Sequence, residues 1–130
     1  GRPLAEGSAA LKAFHQRRLW QQALSTLLRL RRGRARPDVV MHNMVLGAVG
    51  ASLRWALALA LLRAMGAPGG PAPDLVSYNA ALAALEGSGR WRLALGLLDE
   101  LLAAGLVPSA VTFGAALAAC SLPFAAGAGA

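Results

Sequence analysis

Asn43 and Asn79 stand 36 residues apart, and each is followed, 31 or 30 residues on, by another short polar side chain, Asp74 or Ser109. Ser8 and Asp38 hold the corresponding places one period earlier. Groups of this kind donate and accept hydrogen bonds from short, stiff stems. They also suit a plainer task, because Asn, Asp and Ser are the preferred helix N-caps, and Asp38 and Asp74 both follow proline. The second chemical feature is basic. Arg29, Arg31, Arg32, Arg34 and Arg36 crowd into eight residues, with Arg17 and Arg18 nearby. Part of that cluster suits the negative end of a helix, but five arginines exceed what an end needs, and the surplus points to phosphate. Arg17 and Arg18, in the turn between the first two helices, are expected to join the same patch.

The overall charge agrees. Thirteen basic residues, twelve of them Arg, against six acidic ones give +7, which suits a polyanionic partner. Catalysis lacks its parts. His15 and His42 have no serine, cysteine or acidic partner at a telling spacing, and Asp99–Glu100 are adjacent and therefore splayed apart on a helix. Cys120 is the one cysteine. It offers neither a disulfide framework nor a metal-ligand spacing, and its alanine-rich surroundings predict a small buried thiol. No enzyme, cofactor or metal is expected. No signal-peptide pattern opens the chain at Gly1.

The elements that hold these residues repeat. Trp20, Trp55 and Trp91 are 35 and 36 apart; Ala23, Ala58 and Ala94 follow each by three, and Leu27, Leu62 and Leu98 by seven. Leu11, Leu46, Leu82 and Leu117 form a second ladder and Pro37, Pro73 and Pro108 a third. Independent ladders with one period mean stacked supersecondary units. The chain is 56% hydrophobic but only 5% aromatic, so its apolar content is mostly Ala and Leu, which favours helix over sheet. The positive mean hydropathy does not make a membrane span, which needs about 20 apolar residues, because Arg54, Arg63 and Asp99–Glu100 interrupt every candidate run.

One unit reads as helix, short turn, helix, loop. Val40, Met44, Val45, Ala48 and Val49 recur at helical spacing and fade near Gly50–Ser52. Trp55, Ala58, Leu59, Leu62 and Met65 then form a stripe that ends at Gly66. This predicts an all-α solenoid of helix–turn–helix repeats: 4–38 with a degenerate first helix, where Gly7 and Ser8 replace bulkier residues, then 39–74 and 75–109. A lone first helix follows at 110–121, then a flexible Gly/Ala-rich tail at 122–130. The tryptophans, placed on the apolar stripe, are expected in the core.

The starts of the first helices carry a resemblance. Pro37-Asp-Val-Val-Met-His-Asn43, Pro73-Asp-Leu-Val-Ser-Tyr-Asn79 and Pro108-Ser-Ala-Val-Thr-Phe-Gly114 share one frame. With the 35-residue length and the Ala-Leu pair of the second helix, the chain resembles the pentatricopeptide repeat family over residues 4–121. The tetratricopeptide repeat fits less well, since its period is 34 and its tryptophan belongs to the first helix.

The resemblance implies a right-handed solenoid that binds single-stranded RNA in a mitochondrion or plastid, one base per repeat. It implies base reading by Asn43 with Asp74, Asn79 with Ser109, and Ser8 with Asp38, spelling 5′-G-U-C-3′. Val40, Val76 and Val111 would pack on base faces, with Ala5 a weaker counterpart; Gly114 has nothing to read with. These roles require Asn43 and Asn79 to stand along an inner trough, outside the packed interior. The family's lysine near the end of the first helix is missing: Gly50–Ala51 and Glu86–Gly87 stand there, and the middle repeat has one residue too many. Those departures support a second reading, a structural subunit whose apolar surfaces bind protein subunits of an organellar complex.

Overall fold

The computed structural model describes residues 2–17, 19–33 and 35–121. Seven helices lie among them: α1 (Arg2–Gln16), α2 (Trp20–Arg32), α3 (Val39–Ala51), α4 (Trp55–Met65), α5 (Leu75–Ala84), α6 (Trp91–Ala103) and α7 (Ala110–Cys120). They pair as three hairpins, α1–α2, α3–α4 and α5–α6, with α7 alone at the end. The expected degenerate helix is complete: α1 runs 15 residues, with Gly7 buried because Leu30 of α2 fills the space its side chain would take. The tail at 122–130 falls outside the described residues. No described helix is long and apolar enough to cross a membrane.

Local sequence sets the starts of the later first helices. Asp38, Asp74 and Ser109 are extended residues, each after a proline, and each side chain accepts the backbone N–H three residues on. That satisfies one of the donors every helix start leaves open. Ser77 and Thr112 return the bond to the cap's own N–H, completing capping boxes. The second helices have no such device. Leu19, Arg54 and Arg90 precede them without a side-chain cap bond, so their starts are fixed by packing. At the end of α6, Gly105 takes φ +81°; its N–H bonds to Leu102 and that of Leu106 to Leu101, the double bond of a Schellman stop.

The array curves because its two rows of helices pack differently. Among the first helices α1 touches α3, α3 touches α5 and α5 touches α7, whereas the backbones of α2, α4 and α6 stay out of contact with one another. Each second helix instead wedges between its own first helix and the next. Close neighbours on one row and splayed ones on the other put the first helices on the inside of the bend. Small residues allow that approach. A methyl group at Gly50 of α3 would stand 2.6 Å from the Ala80 carbonyl oxygen of α5.

The leucine ladder reports on coverage. Leu11, Leu46 and Leu82 are fully buried, yet the fourth rung, Leu117 on α7, is 71% exposed. Phe113 and Cys120 share its fate, although their counterparts His42 and Tyr78, and Val49 and Leu85, are buried. The buried thiol expected at Cys120 is therefore corrected, since no second helix packs over that side of α7 in the described residues.

The tryptophans also need correcting. Each opens its helix, and a side chain there leans back toward the N-terminus, past the hairpin core that begins at the buried Ala23, Ala58 and Ala94. Trp20 and Trp55 are half-buried and Trp91 is exposed. Trp20 lies under the guanidinium of Arg54 at 4.7 Å and Trp55 under that of Arg90 at 4.0 Å. An arginine of each following repeat thus covers the preceding tryptophan, a cation–π contact worth about 0.5–2 kcal/mol. On the outer row, Arg63 of α4 makes a bidentate ion pair with Glu100 of α6. Both side chains are largely in water, so it contributes little.

Two glycine substitutions separate the packing requirement from helix propensity. Gly50→Ala is expected to cost about 1–3 kcal/mol, because a backbone carbonyl blocks the added methyl. Gly96→Ala, in α6 where an added methyl would meet nothing within 4 Å, is expected to stabilise by about 0.5–1 kcal/mol. Urea unfolding monitored by circular dichroism measures both.

Candidate nucleic-acid interface

The capped ends of α3, α5 and α7 lie in sequence along the inner row, and each presents the same pattern of side chains. Val40, Val76 and Val111, the second residue of each, are 55%, 58% and 67% exposed. Valine is a costly residue to leave in water, and three at one register make a repeating apolar step. Ala5 of α1, at the equivalent position, is exposed as well.

Beside this row the polar residues divide. Asn43 and Asp74 meet across the α3–α5 seam: the Asn43 amide Nδ2 donates to Asp74 Oδ1 at 2.9 Å. Ser77 completes the group. Its hydroxyl accepts the Asp74 N–H at 3.0 Å and lies 2.5 Å from Asn43 Oδ1 and 3.0 Å from Asp74 Oδ1. A hydroxyl has one proton, and the shorter distance assigns it to Asn43. Both ends of the Asn43 side chain are thereby engaged, and it is only 9% exposed. The requirement that it stand free along the trough is not met. It is a latch between repeats, held at the rim of the packed seam.

Burial pulls the Asp74 carboxyl toward the neutral form, but the hydrogen bonds from Asn43 and from the Ser77 and Val76 backbone outweigh it. The net effect holds its pKa below the usual carboxylate range.

One repeat later the same positions behave differently. Ser109 and Thr112 spend their hydroxyls on each other and on the cap, and neither reaches Asn79. Asn79 Oδ1 is left buried without a donor among the described residues. An unmet buried acceptor costs about 1–3 kcal/mol, and a ligand N–H or O–H would relieve that cost only where the Asn79 side chain turns out of the seam. In the first repeat Ser8 is half-buried within α1 and Asp38 is exposed, its Oδ1 capping Met41. No bond joins those two residues. Asp38, Asp74 and Ser109 therefore all act as helix caps, and only the Asn43–Asp74 pair is joined.

The described arginines do not form one patch. Arg29, Arg31 and Arg32 end α2 and Arg36 follows, all exposed. Arg17 precedes α2 at its opposite end, roughly 20 Å away by helix rise, so its expected place in the cluster is corrected. Within the cluster, Arg29 turns toward the α1 side and Arg31 and Arg36 toward α3 and the loop after α4. Arg18 and Arg34 fall outside the described residues.

Sequence reasoning passed over Ser77, the residue that joins Asn43 to Asp74. Its signal was present, as a hydroxyl three residues after a capping Asp. The unmet acceptor at Asn79 had no such signal, because it arises from how Ser109 and Thr112 pair.

No family model matches the chain, and no curated protein matches it in sequence. Solved structures do. The chain is similar to the pentatricopeptide repeat protein PPR10 in a crystal structure with an 18-nt psaJ RNA element, at 30% identity and a TM-score of 0.74. That match covers 88% of this chain and 17% of the other. PPR10 from maize, in a second crystal structure, gives 22% identity and a TM-score of 0.75 over 88% of this chain and 16% of the other. A cysteine-substituted PPR10 with the same RNA element matches at 30% and 0.74 over the same shares. The chain thus spans about a sixth of the length of those it resembles.

Two measurements test the seam. Asn43→Ala is expected to lower stability by about 1–3 kcal/mol through lost bonds to Asp74 and Ser77, whereas Asn79→Ala, which removes an unmet acceptor, should leave it within about 0.5 kcal/mol. Asp74 sets the acid limb. A carboxyl whose folded pKa lies below its unfolded value stabilises the fold above the unfolded value, and that contribution is lost as pH falls through the folded one. Thermal midpoints taken from about pH 5 to pH 2, across the carboxylate range, should fall more steeply for the wild type than for Asp74→Asn.

Proposed function

From the premise that the chain is a pentatricopeptide-repeat-like α-solenoid, we propose that it binds single-stranded RNA along the inner row of first helices. The single observation that carries this is the exposed valine row, Val40, Val76 and Val111, beside the capped helix ends. An apolar step between successive bases gains affinity from any base, because each has a flat face. The +7 charge supplies attraction for the backbone. The similar PPR10 structures with an RNA element support the same partner class.

Base selection is proposed chiefly at Asn79, whose acceptor is unmet, with Asn43 and Asp74 offering one joined edge in the repeat before. Ser109 and Asp38 contribute first as caps, and Ser8 lies within α1. With three and a half repeats, at about 1–3 kcal/mol per stacked base, affinity is modest and sequence preference short. Action on RNA processing, stability or translation in a mitochondrion or plastid belongs to the same proposal.

The uncovered apolar side of α7, with Phe113 and Leu117, favours a second reading as a scaffold that docks protein subunits. Salt separates the two, since RNA affinity falls steeply with ionic strength while an apolar contact barely responds.

Val40→Glu combined with Val76→Glu tests the first reading. Both sites are exposed, so the thermal midpoint should move by less than about 3 °C. Affinity for a fluorescein-labelled twelve-nucleotide RNA, read by anisotropy, should drop about tenfold or more. Unchanged affinity would overturn it.

A further inference from the structure

A cleft of about 440 Å³ opens beside the start of α3, and neither the valine row nor the asparagine seam uses it. Its size lies within the range of small-ligand sites. One wall carries Arg31 and Arg36; another carries His42 of α3; the third is the loop after α4, with Pro68, Gly69 and Gly70. That loop is particular to the middle repeat. α4 has 11 residues where α2 and α6 have 13, and the extra residue of this repeat adds to the length. Two prolines and two adjacent glycines bring its backbone close to the arginines without large side chains in the way.

The polar groups of the cleft are of two kinds. Neither Arg31 nor Arg36 pairs with a carboxylate among the described residues, so two guanidiniums stand ready for an anion. His42 is 6% exposed, and its Nδ1 lies 2.8 Å from the Asp38 carbonyl oxygen. A carbonyl only accepts, so Nδ1 holds the proton in the neutral ring and Nε2 keeps a lone pair. No described protein group donates to it. The cleft therefore combines two cations with a ring nitrogen that accepts when the imidazole is neutral.

Phosphate alone fits half of that set, because an acceptor does nothing for an anion. A ribose-phosphate unit fits all of it: the phosphodiester offers oxygens to the guanidiniums, and the neighbouring 2′-hydroxyl offers a proton to Nε2. We infer that this cleft holds one ribose-phosphate of the bound strand, with Arg31 and Arg36 on the phosphate and His42 Nε2 accepting from the 2′-hydroxyl. The site rests on the RNA reading above and adds to it a means of telling RNA from DNA, for which the 2′-hydroxyl is the distinguishing group. His42 is a specificity residue in this role. Its register is occupied by Tyr78 and Phe113 in the following repeats, so the repeat accepts an aromatic ring without the lone pair.

The test compares a fluorescein-labelled GUC-repeat RNA of twelve nucleotides with the same strand built on 2′-deoxyriboses, uracil retained. Wild-type protein should bind the ribose strand about fivefold to tenfold more tightly, the worth of one hydrogen bond. His42→Phe should bring that ratio to about one while leaving the deoxyribose strand's affinity unchanged. Arg31→Gln with Arg36→Gln should weaken both strands alike and shrink the salt slope by about 0.7, the value for one phosphate on a single strand. A ratio unmoved by His42→Phe, or a salt slope unmoved by the arginine pair, overturns the cleft assignment and leaves the valine-row reading standing. Failure of the wild type to bind either strand removes both.

Discussion

The structure depends on how closely the first helices approach one another. Gly50 lets α3 come against the Ala80 carbonyl of α5, and Ala81 and Ala84 keep that seam free of bulk. Because the outer helices do not match this spacing, each hairpin tilts against the next and the array bends. The bend sets the capped helix ends in a row, which in turn sets Val40, Val76 and Val111 in a row. The Asn43 latch also depends on it, since Asn43 and Asp74 lie 31 residues apart and meet only across this seam.

Caps and contacts share the same side chains, and this shapes the candidate interface. Asp74 ends one repeat, starts the helix of the next and holds Asn43. In the following repeat serine replaces aspartate; its single hydroxyl turns to Thr112, and Asn79 is left with an open acceptor. Two changes of residue, Asp74 to Ser109 and Ser77 to Thr112, thus leave the second asparagine without the donor that the first one has. Equivalent positions in a repeat array need not have equivalent chemistry, because each polar atom has a limited number of bonds to give.

Charge follows a similar logic. Arg29, Arg31, Arg32 and Arg36, close together in sequence, part in space, since successive residues on a helix face different ways and Arg36 lies beyond its end. Two of them meet His42 and the proline–glycine loop, which belong to other elements. No carboxylate pairs with those arginines among the described residues; Glu100, for example, pairs with Arg63 on the outer row.

The ladders of Leu, Ala and Pro determined by themselves the hairpin repeat, the helix ends to within a residue or two, and the starts at Asp38, Asp74 and Ser109. These follow from period, propensity and local capping, all of which act over a few residues. The tertiary structure decided what each side chain meets. It placed Trp20 and Trp55 under arginines of the next repeat, and left Trp91, Cys120 and Leu117 exposed. It also closed Asn43, left Asn79 Oδ1 without a donor, and put Arg17 at the opposite end of α2 from the arginine cluster. Burial and hydrogen bonding between repeats depend on distances across a seam, and a one-dimensional pattern carries no measure of those.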